Sequence, residues 1–242
     1  MAFLPVKPEI VYEDDAVLVV YKPTGLATQT SNVGEKDLVS ELKKHLKGGY
    51  VAVVHRLDQP VEGLLVFAKS SKAAAALSKA VGQKDENDFA KDYLAVVCGK
   101  MAAESGRLED FLIKDGNVAK VVTESEDAKM KEGGKAPGAK KAVLDYEVLK
   151  EKEITGEEVI SLVRVHLHTG RFHQIRAQLA NSGAPIIGDS KYGTERSMEL
   201  SKELGARNVT LIADSICFVH PISGKKMEFH CEPKGSVFKE FS

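Results

Sequence analysis

Tryptophan is absent from this 242-residue chain, and aromatic residues make up only 6% of it. That argues against a sugar-binding cleft, which relies on flat aromatic rings. Long apolar runs are missing too: stretches such as AVLVVY at 16–21 and LLVFA at 64–68 are far short of the ~20 residues a membrane-spanning helix requires. Cysteine is scarce. Cys98, Cys217 and Cys231 stand too far apart for a CxxC pair and are too few for a disulfide framework. The opening MAFLPVKPEIVYEDD lacks the basic flank and apolar core of a secretory signal, so a reducing cytoplasm is expected. Charge of one sign is missing as well, since 34 basic residues face 35 acidic ones for a net value of -1. Any polyanionic partner must therefore be held by a local patch rather than by the field of the whole molecule.

What the chain does have is a hydrophobic content of 43%, enough for a substantial core. EIVYEDDAVLVVYKPTGLA reads as two strands joined at Glu13-Asp14-Asp15, the second ending at Lys22-Pro23-Thr24-Gly25. A short amphipathic helix is expected over Lys36 to His45. Val51 to Arg56 and Gly63 to Lys69 read as strands, followed by an alanine-rich helix capped by Ser70-Ser71. Further strands are expected at Asp92 to Val97, Ala142 to Leu149, Val159 to His168, Val209 to Val219 and Lys226 to Cys231. A helix from about Phe172 to Asn181 is ended by Gly183. Between 114 and 141 the chain turns polar, charged and glycine-rich, with too little apolar surface to offset ordering entropy. Much of it is expected to be a mobile insertion within a single domain covering 1–242. Strands outnumber helices without alternating regularly with them, so the fold class is α+β with a mixed, largely antiparallel sheet and flanking helices.

Chemistry gathers in three places. In VVHRLDQPVEGLLVFAK, His55, Arg56 and Asp58 interrupt two apolar runs, at a strand end from which side chains can reach a cleft without breaking a core. In KDYLAVVCGK, Tyr93 offers a ring to stack on a planar substrate and a hydroxyl for a polar contact. In HTGRFHQIRAQLANSG, Arg171 precedes a helix and Arg176 lies inside it beside Ile175 and Leu179, where a guanidinium is costly to bury unpaired. A guanidinium next to Asp58 would keep that acid ionised and oriented. Taken singly each residue has an ordinary reading: Asp58 as a turn cap, Tyr93 as a core aromatic, Arg176 as a snorkelling helix residue. His166, His168 and His173 lack the spacing and cysteine partners of a zinc site, so no metal is expected. Asp58 and Glu62 as a glycosidase acid pair ranks low for want of an aromatic cleft.

Together HRLDQPVEGLLVFAK, KDYLAVVCGK and TGRFHQIRAQLANSGAPIIGDSKYG, with EDDAVLVVYKPTGLA before them and VHPISGKKMEF after, resemble the RluA-type RNA pseudouridine synthases from Glu9 to about Pro233. The resemblance implies isomerisation of uridine in structured RNA, ribosomal or transfer, without redox cofactor or nucleotide triphosphate. It implies Asp58 as the catalytic aspartate, acting as nucleophile, Arg176 as its partner and Tyr93 as the stacking residue. Arg56 corresponds to the arginine that keeps the target nucleotide extruded, and His55 and Arg171 are counted with the substrate-binding residues. The start of the chain leaves no room for the small N-terminal RNA-binding domain of many relatives, so the catalytic domain is expected to grip RNA itself, with Lys43, Lys44, Lys140 or Lys141 on the rim. A monomer with no membrane association is expected. One departure stands out: Val61-Glu62 occupies the place where most relatives carry Thr-Ser, and Glu62 is expected to point away from the cleft or to meet a basic residue, leaving activity intact. The alternative is a catalytically inactive RNA-binding or ribosome-assembly protein on the same fold.

Overall fold

The computed structural model describes residues 8–30, 32, 34–83, 88–123, 125–127, 138–154, 156 and 158–241. The chain, read from its sequence as one domain, divides into two compact units: Met1–Tyr93 with Ile212–Pro233, and Leu94–Leu211 with Lys234–Ser242.

In the first unit the strands β1 (Glu9–Glu13), β2 (Val17–Lys22), β3 (Ala52–Val53) and β4 (Glu62–Ala68) are joined by β10 (Leu211–Val219) and β11 (Lys226–His230). Pairing is antiparallel for β1 with β2, β2 with β4, β3 with β4 and β10 with β11, and parallel for β4 with β10. Every residue of β2 and β4 is buried, which is why both read as unbroken apolar runs instead of alternating: each has a covered face on either side. One face packs Val17, Val19, Leu64 and Val66 with Ala73 and Leu77 of helix α2 (Ser71–Gln83) and with Phe89, Ile216 and Phe218. Ser70 caps α2 as expected, its Oγ accepting from the Ala73 N–H at 3.2 Å. Helix α1 (Leu38–His45) starts on Asp37, whose carboxylate accepts from the Ser40 N–H. Gly63 has φ +121°, and a Cβ there would lie 2.3 Å from the Ala213 carbonyl oxygen; only glycine lets β10 come so close to the start of β4.

Strand β5 (Phe89–Cys98) passes from the first unit into the second. There β6 (Ser105–Asp115), β7 (Val118–Val122), β8 (Lys140–Glu153) and β9 (Val159–Leu167) pair antiparallel in the order β7-β6-β8-β9. Helices α3 (Gln174–Asn181) and α4 (Glu195–Glu203) and a closing 3₁₀ turn (Ser236–Phe241) complete the unit. Largely antiparallel strands with few helices bear out the α+β expectation in both units.

Part of the 114–141 stretch is regular structure. Val118–Val122 pairs with β6 in register from Val118↔Asp115 to Val122↔Phe111, and Ala119 and Val122 are buried. The segment 128–137, expected to be mobile, lies outside the described residues. Among the described residues no helix is long and apolar enough to cross a membrane.

Candidate active site

Asp58 sits on an irregular loop. The strand expected to run to Arg56 stops at Val53, yet side chains keep alternating beyond it. His55 and Leu57 turn into the core while Arg56 is exposed and Asp58 half-buried. The His55 ring accepts the Val66 N–H on Nε2 at 3.2 Å and meets Phe89 edge-on. Burial, followed by the charge of Lys91, holds it well below the ordinary histidine pKa. His55 is thus a neutral prop behind β4, and the substrate-binding role expected of it does not fit its inward aim.

The loop is pinned by KPTGLAT, the segment that ends β2. Lys22 is fully buried, and its ammonium donates to the carbonyls of Pro23 (3.0 Å), Leu26 (2.9 Å) and Gln59 (3.2 Å). Thr24 Oγ1 donates to the Pro60 carbonyl at 2.8 Å, the Gly25 N–H to that of Gln59 at 2.9 Å, and Thr28 Oγ1 to that of Leu57 at 2.9 Å. The Asp58 carbonyl closes a turn by accepting from the Val61 N–H at 3.0 Å. Backbone on both sides of Asp58 is therefore fixed by hydrogen bonds from 30 or so residues earlier, which leaves its side chain little to reorganise. In the sequence KPTGLA reads as a strand end within a block shared with the family, with no role for Lys22. A lysine directly before proline, after an apolar run, is the signal that could have flagged it.

Lys22 also carries the electrostatics. Burial pushes it down to about 7, while the negative charges of Asp58 and Glu62 pull the other way. Between that value and the ordinary lysine value of 10.5 the unfolded chain binds this proton more strongly, so the Lys22 contribution to stability rises with pH across the window. Lys22→Met is expected to cost about 2 kcal/mol by stranding buried carbonyls, and to flatten that rise in urea titrations followed from pH 7 upward. An unchanged profile would refute it.

Tyr93 is 4% exposed, and its hydroxyl is held above the ordinary phenol pKa by burial first and then by Asp58, Asp92 and Asp214. It is a neutral phenol at physiological pH, close enough to Asp58 to feel its charge. Glu62, the odd residue of the motif, lies in the sheet on β4. It is 8% exposed and accepts from the Tyr21 hydroxyl at 2.7 Å, a phenol where a basic residue was the expected partner. Tyr21→Phe is expected to lose about 1–3 kcal/mol of stability with turnover per folded molecule retained. Thermal melts paired with single-turnover rates check this, and a lost rate in a well-folded variant would contradict it.

In the second unit Arg176 is 3% exposed and grips Asp189, itself 1% exposed, through Nε to Oδ2 at 2.7 Å and Nη2 to Oδ1 at 2.8 Å. Asp189 Oδ1 also accepts from the Lys191 and Tyr192 N–H groups at 3.0 and 3.3 Å. Sequence reading gave Asp189 no role. An acid amid PIIGD, 13 residues after a helix arginine, was the available signal. The Tyr192 ring lies under the Arg176 guanidinium at 5.1 Å, and its hydroxyl meets His173 Nδ1 at 2.8 Å. Arg171 is half-buried, its Nε donating to the Lys141 carbonyl at 3.0 Å. Of the expected rim lysines, Lys44 pairs with Glu41 and Lys141 with Glu109. His168 is hydrogen-bonded to Asp145 at 2.7 Å. Among the described residues no three His, Cys, Asp or Glu side chains group to hold a metal.

Residues 16–181 match the RNA pseudouridylate synthase family. The chain belongs to that family. It is 32% identical to tRNA pseudouridine synthase C of Pasteurella multocida, over 90% of this chain and 88% of the relative. Ribosomal large subunit pseudouridine synthase D of Zymomonas mobilis is 33% identical over 93% of this chain and 68% of its own length. The solved structure of human RNA pseudouridylate synthase domain containing 1 shares the fold, with a TM-score of 0.71 and 21% identity over 94% of this chain and 84% of that one. The enzyme is an RNA pseudouridine synthase, an isomerase, and the inactive alternative has no support among these relatives. Its reaction breaks the bond from uracil N1 to ribose C1′ and joins C5 to C1′. C5 loses a proton and N1 gains one, so the formula is unchanged.

Proposed function

We propose that Asp58 is the catalytic nucleophile, with Arg176 as its partner, and that Tyr93 stacks on the uracil. A carboxylate can attack C1′ as the glycosidic bond breaks, add to uracil C6, or remove a ribose proton. All three routes need it charged. Both compact units belong to one catalytic domain in this reading, which works as a cytoplasmic monomer. The observation that carries it is the pairing, inside the first unit, of a rigidly clamped loop with a charge that acts on Tyr93. Bidentate support from Asp189 gives Arg176 the fixed orientation that such a partner needs. Tyr93, kept as a phenol, contributes its ring and a donated hydrogen bond rather than serving as a strong base. Arg56, exposed two residues before Asp58, helps keep the target nucleotide extruded in this reading.

The substrate in this reading is an unpaired uridine in transfer RNA or large-subunit ribosomal RNA, the two classes named for its relatives. A uridine stacked in a helix hides C5, so loops where unstacking is cheap are favoured. The test is to incubate the enzyme with unmodified transcripts of both RNAs and map carbodiimide-reactive positions. New stops at loop uridines in one class are expected. No stop in either would overturn the substrate assignment.

A further inference from the structure

We infer that Phe172 and Lys114, in the second unit, form a docking site for an unpaired nucleotide of the RNA outside the reacting uridine. Phe172 is 37% exposed, whereas its neighbour His173 is buried. The two rings stack at 3.8 Å between centroids with 20° between planes. His173 has φ +52°, a left-handed conformation uncommon for a side-chain-bearing residue, and this bend carries the chain into α3. The bend is held from below: His173 Nδ1 meets the Tyr192 hydroxyl at 2.8 Å, and that oxygen accepts the Ala119 N–H at 2.6 Å. Ala119 in turn lies opposite Lys114 in the β6–β7 register.

The result is a closed chain of contacts. Lys114 stands over the Phe172 ring at 4.9 Å, Phe172 rests on His173, His173 on Tyr192, and Tyr192 on the strand beside Lys114. A ring fixed in this way and left open to solvent is a prepared stacking surface, because little freedom remains to be lost on binding. Lys191 joins the same corner, its ammonium donating to the Asn117 carbonyl at 3.0 Å in the turn between β6 and β7. Arg171 adjoins Phe172 in sequence. Nearby Lys120 is neutralised by Asp115 at 2.5 Å, so the positive charge offered to a phosphate comes from Lys114, Lys191 and Arg171. Stacking of a base outweighs an exposed cation–π contact. An incoming base therefore displaces the Lys114 ammonium from the ring onto the adjoining phosphate.

The inference rests on the reading of this chain as an enzyme acting on RNA, and its test is separate from turnover. The probe is fluorescein-labelled oligouridine of twelve nucleotides, titrated by anisotropy. Phe172→Ala should weaken binding about tenfold, the scale of one lost base–aromatic stack, and Phe172→Leu should not rescue it. Lys114→Ala should reduce the slope of log affinity against log salt by about 0.7, one single-strand phosphate contact. Because the chain has no tryptophan, Phe172→Trp installs a sole indole whose emission should be quenched as the probe binds. Three results would overturn the site: a wild-type protein that ignores the probe, affinity in Phe172→Ala or Phe172→Leu equal to wild type, or an indole blind to a probe that anisotropy shows to be bound. Loss of isomerisation on transcripts with the probe still binding as described would instead strike the functional reading and leave this site standing.

Discussion

Asp58→Asn should abolish uridine isomerisation, by at least about 10⁴-fold, the scale seen when a group acting covalently or as a base is removed, while RNA binding is kept or slightly tightened. The amide has nearly the shape of the carboxylate, and the loop is held through backbone carbonyls and Thr28; within the KPTGLAT clamp the lost charge is felt by Lys22, whose protonated form Asp58 favours. Removing a negative charge that faces a polyanion can only favour association. A residual rate must be checked against Asp58→Ala, since an asparagine can deamidate back to the acid. Carbodiimide mapping for turnover and filter binding for affinity separate the two effects. Retained turnover in both variants would end the assignment of Asp58. Loss of binding together with turnover would mean that the residue holds the fold or the RNA instead of reacting.

Asp189→Asn should be the most destabilising of the single changes considered, costing about 3–5 kcal/mol, because it strips the carboxylate from a guanidinium that is almost fully buried. The asparagine oxygen can still accept one N–H, but the charge opposite Arg176 is gone and two backbone donors lose an anionic acceptor. Activity should fall with stability and, on the role proposed for Arg176, fall further than the unfolded fraction explains. Denaturant titration of Asp189→Asn, Arg176→Met and the double variant measures the coupling directly. Additive costs would show that the pair is a bystander. A double variant more stable than either single one would show that each group is buried chiefly for the sake of the other.

How much of this was legible beforehand differs from element to element. The β2 and β4 strands and the α2 helix could be read because their signals are local: an unbroken β-branched run, and alanines behind a serine cap. β7 could not. KVV among charged neighbours carries little apolar weight, and becomes a strand only because β6 supplies its hydrogen bonds and Leu112, Ala142 and Ala177 cover Ala119. Helix α4 was overlooked although Thr194 caps it by accepting from the Ser197 N–H; that cap signal was present and unread. The site shows the same division. Asp58, Tyr93 and Arg176 were picked out by their motifs, whereas Lys22, Thr28 and Asp189 became visible only as partners.

By itself the sequence determined the family and the reaction type and singled out candidate residues to carry it, because side-chain chemistry in ordered blocks survives without coordinates. Only the tertiary structure decided what each of those residues faces. It turned His55 inward as a prop, tied Glu62 to Tyr21, bound Arg176 to Asp189 and gave the Asp58 loop its clamp. Hydrogen bonds between residues far apart in the chain have no signature in spacing or composition. They exist only once the backbone brings donor and acceptor within 3 Å or so of each other.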